Sequence, residues 1–252
     1  MAYKTGLTSS PNKLPVGAIY ELAYKELVNL YRNEYIYKNA IAEKIIKGRH
    51  RLSKKCHFAT EFRVFDSIAD VVIANGTTTA YEIKTEYDSF DRLQTQLINY
   101  SKALEYVYVV IPESKFKACL NHIPNHIGII TLTKNYTLNT KRKALSNTEN
   151  IDHNIVFSCL RRNEVINITN YHFGKLPDAK PVELKKSCQK LFLTLSKKQV
   201  HNSLLYALKA RSLNKESIKI IEKGYSSLIS LFLTINLSVK QAENLAEALE
   251  SA

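Results

Sequence analysis

Behind Pro15 the apolar positions Ile19, Leu22, Ala23, Leu27 and Leu30 recur at intervals of three and four, which predicts an amphipathic helix. A second run of this kind extends from about Glu34 to Lys47 through Ile36, Ala40, Ile41 and Ile45, and Gly48 marks its expected end. The period then changes. From Phe58 to Val64, Ala69 to Ala74 and Thr78 to Thr85, β-branched and aromatic residues dominate, with Asn75-Gly76 as a tight turn, so a three-strand meander is expected. Asp88 has the character of an N-cap, and Phe90, Leu93, Leu97, Tyr100 and Leu104 trace one face of the helix behind it. "YVYVVI", Tyr106 to Ile111, reads as a strand covered on both faces. Pro112 opens a short helix to about Asn121, and "IGIITL" supplies one more strand. This order predicts an α/β domain over 14–145, with a mixed central sheet flanked by helices.

Residues 1–13 are polar and read as a flexible tail. Around 139–154 apolar residues thin out and Asn, Thr and Lys dominate, as in a loop or linker. Beyond it only helical patterns recur, over about 155–170, 181–196, 198–212, 215–235 and 238–250, the last opening with Ser238 and Gln241 at capping-box spacing. A C-terminal all-helical domain over 155–252 follows, a surface suited to a homodimer contact or a protein partner.

Composition narrows the function classes. Across 252 residues, 36 Lys plus Arg against 23 Asp plus Glu leave a formal +13, which favours a polyanionic partner, nucleic acid above all. A membrane is disfavoured, since no segment offers roughly 18 uninterrupted apolar residues and the N-terminus lacks a signal peptide's apolar core; a cytoplasmic protein is expected. Cys56, Cys119, Cys159 and Cys188 are far apart and form no CxxC pair, against a zinc site or a disulfide framework. No P-loop, GxSxG elbow or HExxH is present.

The stretch "IADVVIANGTTTAYEIK", Ile68 to Lys84, sets Asp70 against Glu82 and Lys84 across the expected hairpin. Glu82 and Lys84, two apart on a strand, project to one side. A two-residue Asn-Gly loop would put Asp70 opposite Tyr81 and on the other face from Glu82. A three-residue loop, Ala74-Asn75-Gly76 with Gly76 in the left-handed position of a bulge, puts Asp70 opposite Ala80 and on Glu82's face, and this is the expected arrangement. Converging carboxylates repel unless a cation lies between them. Hard oxygen donors suit Mg²⁺ or Mn²⁺, with the Ile83 carbonyl as a further ligand and Lys84 placed to orient an attacking water and offset charge on a phosphate.

These residues resemble the PD-(D/E)XK nuclease superfamily, which has an acid on an early helix, an acid on the second strand, ExK on the third and then a glutamine-bearing helix. Here Asp70 in "IAD" lacks the signature's proline, and Glu82-Ile83-Lys84 is the third-strand element. "QLINY", Gln96 to Tyr100, looks like the QxxxY element of RecB-like members, where both side chains face the substrate strand. "RNEYIYKN", Arg32 to Asn39, with the hairpin, "YEIKTEYDSFDRLQTQL" and "YVYVV", is similar to a bacterial family of small uncharacterised proteins within the superfamily. The resemblance implies a restriction-endonuclease-like core and a metal-dependent deoxyribonuclease, in host defence or mobile-element biology. Asp70, Glu82 and the helix-borne acid would hold Mg²⁺ or Mn²⁺, Lys84 would position water and Gln96 would dock the strand.

Glu34 is the first choice for the helix-borne acid and Glu21 the second; Glu61, on the first strand, either approaches the site or pairs with a base such as Arg63. Tyr100 belongs to the apolar stripe and carries a polar tip, so core packing and substrate contact are equal readings. Gln94 is less favoured than Gln96, and Asp88 and Asp91 are assigned to capping. Arg92 is placed to meet a phosphate. Of the basic segments, "KGRHRLSKK" with Arg49, Arg51, Lys54 and Lys55 adjoins the expected site and is the first candidate for holding DNA; 141–143 and 161–162 lie further off. The rival readings are a nucleic-acid-binding or regulatory module with little cleavage, and an interaction protein whose basicity is incidental.

Overall fold

The computed structural model describes residues 14–47, 56–211, 213 and 215–251. The tail 1–13 and the loop carrying Arg49, Arg51, Lys54 and Lys55 lie outside them. The chain forms two compact units, one of residues 52–212 and the other of 1–51 with 213–252. Among the described residues no helix is long and apolar enough to cross a membrane.

The 52–212 unit is a mixed α/β layer structure on one six-stranded sheet, ordered β1-β2-β3-β4-β5-β6: β1 (His57–Val64), β2 (Ser67–Ala74), β3 (Thr78–Ile83), β4 (Tyr106–Pro112), β5 (Gly128–Leu132) and β6 (Leu138–Arg142). β1, β2 and β3 form the expected antiparallel meander, and β3, β4 and β5 run parallel. The parallel steps need crossovers, and α3 (Leu93–Ser101) and α4 (Phe116–Leu120) supply them. β6 departs from the expected loop. "LNTKR" is almost wholly polar because it pairs with β5 alone, at the sheet's edge, and leaves its middle residues exposed.

Among the described residues this unit also contains the α-helices α5 (His153–Ser158), α6 (Arg162–Phe173), α7 (Leu184–Phe192) and α8 (Lys197–Ala210). The 155–170 pattern is thus two helices, broken at Leu160 and Arg161. Ile155, Val156, Phe157, Phe192, Val200 and Leu204 share one buried core with Val72, Val109 and Ile129 of the sheet. That shared core is why the division differs from the helical domain read over 155–252: these helices cover the sheet, and only the last three belong elsewhere.

The other unit contains α1 (Val16–Leu30), α2 (Glu34–Ile41), which winds on as a π-helix to Lys47, α9 (Lys215–Glu222), α10 (Ile229–Phe232) and α11 (Val239–Glu250). α11 opens with the expected box, Ser238 accepting from the Gln241 amide while Gln241 accepts from the Ser238 amide. The 215–235 pattern breaks around Gly224, at φ +95. The start of α1 is tied to the end of α11: Val16 N–H donates to Ser251 O at 2.8 Å, and a Cβ on Gly17 would collide with the Tyr225 ring. Buried Asn39 clamps α2 to the 226–230 segment, donating to Ser227 O (2.8 Å) and accepting from Ser230 N–H (2.9 Å).

Candidate functional site

The β2–β3 register pairs Val71 with Tyr81, Val72 with Ala80, Ile73 with Thr79 and Ala74 with Thr78. The loop has three residues, as expected, but they are Asn75, Gly76 and Thr77. Shifting the loop by one residue has a consequence for the acids. Extended one step, the register sets Asp70 across from Glu82 itself, not from Ala80. Gly76 is also not left-handed; the described glycines with positive φ are Gly174 and Gly224. Asn75 N–H bonds to Thr77 O instead, closing the turn without a bulge glycine.

The β1–β2 ladder keeps a constant register from His57↔Ala74 to Val64↔Ser67, which puts Glu61 across from Asp70. Glu61, Asp70 and Glu82 therefore form a row across three neighbouring strands. Carboxylate oxygens of Glu61 and Asp70 lie within 4.8 Å of each other. Glu61 holds φ +53, a left-handed conformation that is uncommon outside glycine. Its side chain is exposed, Asp70 is half-buried and Glu82 is 1% exposed, so the row runs from solvent into the core.

At the inner end, Lys84 Nζ donates to Glu82 Oε1 at 2.7 Å and to Gln96 Oε1 at 3.0 Å. Tyr100 Oη lies 2.7 Å from both Glu82 Oε2 and the Ile68 carbonyl oxygen. A phenol has only one proton to donate. The Tyr100 hydroxyl is therefore one donor shared between Glu82 Oε2 and Ile68 O. Burial pushes the Glu82 carboxyl above its usual range, opposed by the Lys84 ammonium and by hydrogen bonds from Lys84, Tyr100 and Gln96. Burial, then the Glu82 charge, pushes the Tyr100 hydroxyl far up, so it stays protonated.

Asp70 is held from the backbone: Ile83 N–H donates to its Oδ2 at 2.6 Å. It is the amide of Ile83 that meets the carboxylate, and its side chain is buried. Lys84 N–H bonds to Val110 O at 3.0 Å, which fixes the end of β3 against β4. Asp88 does not cap α3, which begins at Leu93; it accepts from Thr85 N–H and Oγ1, both at 2.7 Å, and closes the turn after Lys84. Asp91 accepts from Ser89.

The structure thus brings together Asp70, Glu82, Lys84, Gln96 and Tyr100 of the expected site. Tyr100 is 0% exposed, which removes it from direct contact with a bound strand and makes it a support for Glu82. Arg92 stands exposed at the N-cap position of α3. Glu34 opens α2 in the other unit and pairs with Lys38 at 2.5 Å. Glu21 accepts from Ser227 N–H at 2.8 Å, a structural role. Sequence spacing missed the bond between Tyr100 and Ile68 O, since nothing along the chain signals a contact across 32 residues. All four cysteines are free thiols, and burial pushes Cys56, Cys119 and Cys159 up to about 11.

The molecule is therefore a mixed α/β protein with a row of acids at its sheet and a lysine, glutamine and tyrosine around the innermost. The family model described as Bacteriophage P4 protein cII matches residues 28–249, and the chain belongs to that family. No curated protein matches it. One solved structure with some likeness is a Silicibacter pomeroyi protein of unknown function, 13% identical, covering 48% of this chain and 82% of its own, at a TM-score of 0.33.

Proposed function

We propose that this chain is a metal-dependent deoxyribonuclease that hydrolyses phosphodiester bonds in the cytoplasm, on a PD-(D/E)XK-type core. The observation that carries the reading is Lys84 Nζ held between Glu82 and Gln96, with Asp70 one strand away. The donor set suits a hard divalent cation: Asp70 and Glu61 offer neighbouring carboxylate oxygens, and Glu82 uses two of the roughly four acceptor positions a carboxylate has. Asp70 and Glu82 would hold Mg²⁺ or Mn²⁺, which supplies charge stabilisation at a phosphate oxygen when bound. Lys84 orients the attacking water, Gln96 holds Lys84 in place, and Tyr100 holds Glu82. Glu34 is the candidate helix-borne acid, and a Glu34→Ala variant tests its part. The family's name, that of a phage protein, agrees with a role in mobile-element biology.

One observation favours a second reading, a nucleic-acid-binding module without cleavage: both Glu82 oxygens are engaged and burial favours its neutral form. Incubating purified protein with single- and double-stranded DNA and RNA, with Mg²⁺ or Mn²⁺, beside Lys84→Ala and Asp70→Ala, separates the two. Cutting by the native protein alone supports the nuclease. Equal cutting by all three assigns it to a contaminant, and binding without cutting supports the second reading.

A further inference from the structure

A cleft of about 440 Å³ opens beside the β1–β2 turn, at the lower end of the ligand-pocket range. Its lining brings three arginines from distant parts of the chain, Arg63, Arg161 and Arg211, to one place, with Phe62, Phe65 and a single acid, Asp66. Arg63 and Arg161 are exposed, whereas Arg211 is built in. Its Nε and Nη2 each donate to Glu164 at 2.6 Å, and Nη2 also donates to Cys159 O at 3.1 Å. Glu164 in turn accepts from the Arg161 amide at 2.7 Å, so one carboxylate fixes both Arg211 and the start of α6. Phe65, 50% exposed, projects from the turn at φ +55, and Lys102 Nζ stands 5.7 Å over its ring. Guanidiniums beside an open aromatic face are the pair of features that grips a single strand: cations for the phosphate, a ring for the base.

We infer that this cleft binds one nucleotide unit of a single-stranded nucleic acid, its phosphate against Arg63 and Arg161 and its base on Phe65. The inference shares with the proposed nuclease only the choice of a nucleic-acid partner. None of Glu61, Asp70 and Glu82 lines this cleft, and binding there needs no metal. The half-exposed ring offers a face on which an unpaired base can stack, and a duplex, whose bases are stacked inside, could not use it.

The test is fluorescence anisotropy of the full chain with a labelled eight-nucleotide oligo-thymidine in EDTA, where cleavage plays no part. Arg63→Ala/Arg161→Ala should weaken binding by tenfold or more and reduce the log–log salt slope by about two. Phe65→Ala should weaken it about tenfold. Lys198→Ala/Lys240→Ala, which removes the same charge from exposed positions elsewhere, should leave it unchanged, and thermal melts confirm that each variant folds. The inference is overturned if no binding occurs, if the two charge-removing pairs act alike, or if the matching duplex binds equally well. Displacement of the strand by inorganic phosphate with no effect of Phe65→Ala would likewise overturn it, leaving a bare phosphate site. Binding that depends on these residues while no cutting occurs with any metal sinks the nuclease reading and leaves this one standing.

Discussion

Lys84 Nζ stands 2.7 Å from Glu82 Oε1, so the two charged groups of the ExK element are spent on each other and on their helix neighbours before any ligand arrives. Because Glu82 is 1% exposed, its charge state is a question of stability as well as chemistry.

Glu82→Gln separates the two. An amide can accept from Lys84 and donate to Tyr100 Oη, so the network keeps its partners. The native carboxyl is raised above 4.5, so its contribution to stability is complete below that pH and is lost as pH rises through the folded value. The variant should gain stability relative to the native protein from pH 4.5 toward neutrality, and should lose the cleavage proposed above. Urea denaturation across that range checks it; a constant difference would refute the assignment.

Tyr100→Phe keeps the buried ring and removes the hydroxyl, leaving Glu82 Oε2 and Ile68 O without their shared partner. The expected loss is about 1–3 kcal/mol, with an unchanged m-value because the fold is retained. A loss under a few tenths would mean the hydroxyl supports neither group.

His57 gives a second pH dependence, of opposite sign. Burial, then the charges of Arg211 and Arg161, lower it from 6.5 to about 4. Between those values the unfolded chain binds the proton and the folded one does not, so stability is complete above 6.5 and falls as pH drops through 4. A loss of about 3 kcal/mol over that interval is expected, and His57→Phe should abolish it. Parallel native and variant profiles would refute this.

Asn39→Ala should destabilise the other unit by about 1–3 kcal/mol, since it strands the Ser230 amide in the core, while the Ser227 carbonyl keeps the Tyr35 hydroxyl as a donor. Hydrogen exchange at α2 and α10 is the readout. Protection unchanged in both helices would show that the clamp contributes nothing.

Much of the sheet was legible because strands covered on two faces must be apolar: "YVYVVI" and "IGIITL" could hardly be anything else. β6 was not, because an edge strand facing solvent has the composition of a loop. Strand alternation alone put Glu82 and Lys84 on one face; Asp70 joined them only through the choice of a three-residue loop, and Gln96 through the resemblance of "QLINY". Register was finer than alternation. Asn75-Gly76 signals a turn without saying which residue closes it, and one position decided whether Asp70 faced Ala80 or Glu82. Asp88 had the residue type of a cap, yet Thr85 offered it a nearer pair of donors than the helix did. The arginine cleft left no trace along the chain, since Arg63, Arg161 and Arg211 meet only after folding.

The bond from Val16 to Ser251 ties the beginning of one unit to its end, with the whole six-stranded sheet threaded between as an insert. During synthesis the insert can collapse as soon as it leaves the ribosome, whereas α1 and α2 must wait, half-made, for α9–α11 to emerge. Shortening the chain by its last helix should therefore unravel the first one, some 220 residues away in sequence, while leaving the sheet intact.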